Sequence, residues 1–151
     1  MSIVWRKELQ IDSGRIDDDH RRLIFIINKF ELGVNPLDLQ NTIVNLLEYG
    51  KQHFNREERI LAEVGYPQYS DHIVEHKNLV AELNVIIDGF NSAIISNKFT
   101  AVHKKTSHLL RHWLIDHIIK CDVPIRSFIS QKTFFLQKSA FAAQIPNHPC
   151  S

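Results

Sequence analysis

Apolar residues recur along this chain at three- and four-residue spacing in four long stretches, the pattern of helices that turn one face inward. The pattern predicts helices over about 18–32, 37–64, 68–96 and 101–121. Gly33-Val34-Asn35-Pro36 should end the first, because Pro36 lacks an N–H and pushes Asn35 out of helical geometry. Gly65-Tyr66-Pro67 should end the second, 97–100 should link the third to the fourth, and Val123-Pro124 should close the fourth. No stretch alternates with period two between turn residues, so no strand is predicted. Asp17, Asp18 and Asp19 would favour the positive N-terminal end of the first helix. The expected fold class is all-α, an up-down-up-down four-helix bundle.

The inward stripes can be written out residue by residue. They are His20, Leu23, Ile24, Ile27 and Phe30; then Leu39, Ile43, Leu46, Gly50, His53, Glu57, Ile60, Leu61 and Val64. The third helix gives His72, His76, Leu79, Val80, Leu83, Ile87 and Phe90, and the fourth gives Leu110, Trp113, Leu114, His117 and Cys121. Every helix thus turns at least one histidine toward the core. A single core histidine is usually an imidazole hydrogen-bonded to a neighbour. Five of them with a glutamate are different, because a buried carboxylate is costly unless it is paired or bound to metal. His53 and Glu57 lie one turn apart, as do His72 and His76, so each pair can reach one ion. Metal is therefore the expected occupant. His103, His108 and His112 fall on or near polar stripes and His148 lies beside prolines, so these four are expected at the surface.

Composition adds limits. At 151 residues, 44% hydrophobic, 23% charged and net charge +1, the chain reads as one ordinary globular domain without a basic face for nucleic acid. Its longest apolar run, 23–27, is far short of the ~20 residues of a membrane span, so no membrane partner is expected. Residues 1–5 lack the charged-then-apolar pattern of a secretory leader, and Cys121 and Cys150 form no disulfide framework. A reducing cytoplasm is the expected location. Nine histidines stand against one methionine, but only their positions give that number meaning.

Taken in order, Trp5, then "IDDDH" ending at His20, "HFNREE" from His53, "GYP" at Gly65, "HIVEH" from His72 to His76 and "WLIDHIIKCD" from Trp113 to Asp122 resemble the hemerythrin family in its bacterial single-domain form. Each motif alone is common on helices; their order and spacing carry the resemblance. It covers 1–130, leaving 131–151 as a C-terminal extension, packed on the bundle or flexible. The resemblance implies seven ligands, His20, His53, Glu57, His72, His76, His117 and Asp122. It also implies a cofactor of two iron ions (Fe2+/Fe3+) with an oxo or hydroxo bridge. His72, His76 and His117 would serve one iron, His20 and His53 the other, and Glu57 and Asp122 both. Asp122 comes from the resemblance alone: five residues after His117 it lies roughly 140° around an ideal helix, and it reaches inward only where the helix loosens before Pro124. Phe54, Trp113, Leu114 and Ile118 match the family's oxygen pocket.

The function so implied is reversible dioxygen binding by a monomeric carrier, store or sensor, not an enzyme. Two other readings use the same centre. One is a di-iron enzyme or detoxifying protein acting on nitric oxide, peroxide or ferrous iron. The other is a module that delivers or signals to a protein partner, for which the apolar tail 132–146 offers a docking surface or simply more packing. Zinc at His117 and Cys121 is disfavoured, since seven donors exceed a tetrahedral site.

Overall fold

The computed structural model describes residues 2–96 and 99–142, with side chains through Thr133. Five α-helices follow a short N-terminal turn at Lys7–Leu9: α1 (Arg15–Leu32), α2 (Pro36–Val64), α3 (Tyr69–Ile95), α4 (Phe99–His117) and α5 (Ile125–Ala142). No strand occurs among the described residues. α1 packs on α2, α2 on α3, α3 on α4, and α4 closes back on α1. The links at 33–35 and 65–68 are so short that each following helix must run back along its neighbour.

The helix ends follow from their residues. Asn35 caps α2, its side-chain oxygen accepting from the Leu37 and Asp38 amides at 2.9 and 3.4 Å, with Pro36 at the first helical position. Gly65 ends α2 in left-handed geometry at φ 67°, where a side chain would strain the backbone. The Gly65 and Tyr66 amides then bond the Ala62 and Leu61 carbonyls at 3.1 and 2.9 Å, closing the orphan carbonyls of the last turn.

α1 departs from expectation by starting three residues earlier, at Arg15. Its amides are capped by Asp12, whose carboxylate accepts from Gly14, Ile16 and Asp17 at 2.8, 3.1 and 3.2 Å. Asp17 in return accepts from the Ile11 and Ser13 amides at 2.7 and 2.8 Å. Asp17 and Asp18 lie in the first turn of α1 as expected, but Asp19 falls beyond it; Asp17 and Asp19 are buried and Asp18 alone is exposed.

The main core joins Leu23, Ile27 and Phe30 to Leu39, Ile43 and Leu46, Leu83 and Phe90, and Leu110 and Leu114. Burying each such side chain is worth about 1.5–3 kcal/mol. Phe30 and Phe90 meet edge to face at 5.2 Å. Ile60, Val64, Val80 and Cys121, placed on the stripes by periodicity, are only half-buried because they sit at the stripe edges. His103 corrects the surface expectation. It is half-buried, its Nε2 lies 2.7 Å from the Phe30 carbonyl, and its ring stacks on Phe99 at 5.7 Å. His108 and His112 are exposed as expected; His148 and Cys150 lie outside the described residues. A second small core of Ile11, Ile16, Leu61 and Ile125 sits under the start of α5, where Phe128 meets Tyr66 at 5.6 Å. Most of the tail 132–146 falls outside the described side chains.

α3 is the described helix long and apolar enough to cross a membrane by length and composition. Here it lies within the bundle, with His72, His76, Leu79, Leu83 and Phe90 turned into the interior.

Candidate metal centre

All seven expected ligands come together. α1 supplies His20, α2 His53 and Glu57, α3 His72 and His76, and α4 His117. Asp122 ends a widened turn at Ile118–Asp122, in which the Val123 amide bonds the Ile118 carbonyl, five residues back, at 2.8 Å. That wider ring supplies the missing rotation, and Asp122 arrives fully buried beside His117.

Each imidazole presents the same nitrogen to the middle. Nε2 of His76, His72 and His53 lies 3.2, 3.5 and 3.6 Å from Glu57 Oε2. Nε2 of His20 lies 3.1 Å from Asp122 Oδ2, and Nε2 of His117 lies 3.1 Å from Asp122 Oδ1. Yet among the described residues, the buried side-chain nitrogens and oxygens without a hydrogen-bond partner belong, Arg56 Nη2 apart, to His20, His53, Glu57, His76, His117 and Asp122. Atoms 3.1 Å apart that are not aligned on each other are what donors aimed at a shared point look like. Left so, each buried unpaired group costs about 1–3 kcal/mol. The donor set suits iron: imidazole nitrogen and carboxylate oxygen, with no thiolate among the seven.

The charges agree. Burial works against both carboxylates, but the imidazoles around Glu57 hold it well below the usual carboxylate range. Asp122 is likewise held low against its burial and the neighbouring Glu57 charge, chiefly by His117 and His20. Burial would lower His117, but Asp122 drives it up to about 10, and the same carboxylate raises His20 against its own burial. Burial prevails at His53, which is lowered. Without metal, protons on imidazoles balance the two carboxylates, and a metal ion would displace them.

A match to a family model over most of the chain decides the family. The hemerythrin HHE cation binding domain matches residues 13–122. The chain belongs to the hemerythrin family. It is 29% identical over 126 residues to a protein named bacteriohemerythrin from Clostridium acetobutylicum, covering 79% of this chain and 95% of that one. It is 28% identical over 122 residues to a bacteriohemerythrin of Methylococcus capsulatus, covering 76% and 86%. With one of Campylobacter jejuni it shares 25% over 130 residues, covering 83% and 94%. The matched span of the hemerythrin domain begins just before α1 and ends on Asp122, so it contains every ligand candidate.

The four residues expected to line the small-ligand pocket are all buried. Phe54 stacks on His76 at 4.1 Å and touches the rings of His53, His117 and Trp113 at 5.4, 5.8 and 6.2 Å. Trp113 donates its indole N–H to the Leu79 carbonyl at 2.9 Å. Leu114 and Ile118 lie in the same core. Phe54 and His76 also line a surface depression of about 360 Å3 between α2 and α3, bordered by Lys51, Glu58 and Lys77.

Sequence reasoning missed the carboxylates behind the ligands. Glu58 Oε1 lies 2.8 Å from His76 Nδ1, and Asp19 Oδ2 lies 3.5 Å from His53 Nδ1. Glu58 was visible as the second glutamate of "HFNREE"; Asp19 was hidden in a run of three aspartates. Half-buried Cys121 and Glu75 also approach His117. His117 Nε2 is already turned to Asp122, so only its Nδ1 remains for them.

Proposed function

We infer that the chain holds two iron ions in this cluster and binds dioxygen there reversibly, as a carrier, store or sensor and not as an enzyme. The observation that carries the reading is the unequal division of donors. Glu57, His72, His76, His117 and Asp122 form one group able to hold an ion, and His20, His53, Glu57 and Asp122 form the other. Glu57 and Asp122 belong to both, as carboxylates shared between two ions would. Three imidazoles serve the first group and two the second, which leaves the second a position for a small ligand. Ferrous iron in both places would supply the electrons that reversible dioxygen binding needs.

The chain's own part is to bind, orient and keep dry. Five uncharged imidazoles with two carboxylates bring less negative charge than a carboxylate-rich site, which tempers the drive toward irreversible oxidation. Phe54, Leu114 and Ile118 carry no exchangeable side-chain proton, and the one on Trp113 is committed to the Leu79 carbonyl. A wall of such groups withholds protons and water from the bound ligand. The names of the bacteriohemerythrin relatives agree with this reading.

Anaerobic loading with ferrous iron, followed by visible spectra through cycles of oxygen and argon, tests it. An absorption band that appears with oxygen and vanishes with argon supports reversible binding. Irreversible oxidation of the ferrous form in one exposure would favour an enzyme acting on nitric oxide, peroxide or ferrous iron. Protein that takes up no iron would end the metal reading altogether.

A further inference from the structure

We propose that Asp19, clamped by Arg56 and Tyr49, is a positioning residue that fixes His53 to bind metal through Nε2. The inference rests on the reading that the cluster holds iron, and it assigns a role to residues outside the seven. The Asp19 carboxylate is buried although it lies only one residue before a ligand. It accepts from Tyr49 Oη at 2.8 Å and from Arg56 Nε at 2.7 Å, while Arg15 Nε lies 3.5 Å away at the surface. Its Oδ2 faces His53 Nδ1 at 3.5 Å, on the side of the ring opposite Glu57. Tyr49, His53 and Arg56 stand on one face of α2 at i, i+4 and i+7, so a single helix carries both the ligand and the clamp on its carboxylate.

A carboxylate held there favours the imidazole proton on Nδ1 and leaves the Nε2 lone pair free, while the clamp stops the carboxylate from swinging in to bind metal itself. Behind His76, Glu58 makes a closer contact of the same kind, at 2.8 Å, from a half-buried position. Each donor group therefore has one outer carboxylate, Asp19 on the side with two imidazoles and Glu58 on the side with three. Removing an outer partner of this kind weakens metal binding by about 10–100-fold.

The test is a stepwise anaerobic titration of the metal-free chain with ferrous iron, comparing wild type with Asp19→Asn, Tyr49→Phe and Glu58→Gln. In Asp19→Asn one of the two equivalents should weaken by about 10–100-fold and the other stay unchanged. Glu58→Gln should weaken the other equivalent, so that combining it with Asp19→Asn weakens both. Tyr49→Phe should weaken the same equivalent as Asp19→Asn by a smaller factor and add nothing in the double variant. Stepwise affinities in Asp19→Asn equal to wild type would overturn the proposal. So would equal weakening of both equivalents together with a lower urea midpoint, which would mark a structural role. If Asp19→Asn does not fold, Tyr49→Phe decides on the same two criteria. A wild-type chain that binds no iron instead refutes the metal reading itself, and this proposal with it.

Discussion

Phe54→Ala is the substitution whose cost can be worked out most directly. The Phe54 ring is nearly fully buried, lies flat on His76 and touches His53, His117 and Trp113. A buried phenylalanine removes about 150–250 Å2 from water, worth about 4–6 kcal/mol at roughly 25 cal/mol per Å2. Alanine keeps part of that, and measured Phe→Ala costs of about 3–5 kcal/mol include the cavity left behind. For a chain of this size each kcal/mol moves the midpoint by about 2–4 °C, so the metal-free variant should melt about 10 °C below wild type. Phe54→Leu keeps most of the volume and should cost less than half as much. The functional effect follows from the same geometry. Phe54 and His76 share the lining of the depression between α2 and α3, so deleting the ring joins that depression to the ligand cluster. Iron loss to an external chelator should then be several-fold faster in Phe54→Ala and close to wild type in Phe54→Leu. Urea or thermal unfolding gives the first quantity, and chelator-capture kinetics the second. A stability loss below about 1 kcal/mol would show that Phe54 is not a packed wedge. Unchanged iron loss despite a large stability loss would show that it does not guard the cluster.

Two further outcomes follow from the site. Leu114 is buried in the core beside Trp113; Leu114→Ala should reduce the number of oxygen and argon cycles before reversibility is lost, and an unchanged number removes Leu114 from the pocket wall. The raised pKa of His117, about 10 against its ordinary 6.5, means that its proton stabilises the metal-free fold fully below pH 6.5 and that this contribution is lost as pH rises through about 10. Iron uptake must expel that proton, so between those values binding should release protons and tighten with pH. Titration calorimetry at pH 8 in two buffers of different ionisation enthalpy checks this, and equal apparent enthalpies would refute it.

How much of this was legible in the sequence depended on whether the relevant geometry was local. The helical period alone placed His20, His53, Glu57, His72, His76 and His117 inward, and all six are buried. Asp122 lay beyond that logic, because only the five-residue hydrogen bond from Val123 to Ile118 rotates it back to the face of His117. Asp19 was misjudged for a related reason. Which of three successive aspartates faces inward depends on where the helix begins, and Asp12, not Asp17, sets that point. His103 looked like a surface residue beside Lys104 and Lys105, yet its acceptor is a carbonyl of α1 and its stacking partner sits one turn earlier. Ile125 is fully buried against residues 11, 16 and 61, all remote in sequence, and no local pattern announces such a contact.

The bundle is therefore polarised along its length. One end is held by apolar packing around Phe30, Leu39, Phe90 and Leu110, which needs nothing from outside the chain. At the other end four helices converge on buried nitrogens and oxygens that do not satisfy one another. Hydrophobic packing cannot offset that cost where the side chains are ligands, so this end depends on what the ligands bind. Every helix of the bundle contributes at least one donor, and two ions held there would together resist the separation of all four. At a free metal concentration of 1,000 times the dissociation constant, each site would add about 4 kcal/mol to the folded state. Until it is filled, the small core of Ile11, Ile16, Leu61 and Ile125 supplies the apolar contacts at that end, with Arg126 reaching the Glu8 carbonyl at 2.5 Å. α5 begins directly after the turn that delivers Asp122, and its first residue, Ile125, is fully buried in that small core, so the segment completing the ligand set is anchored there.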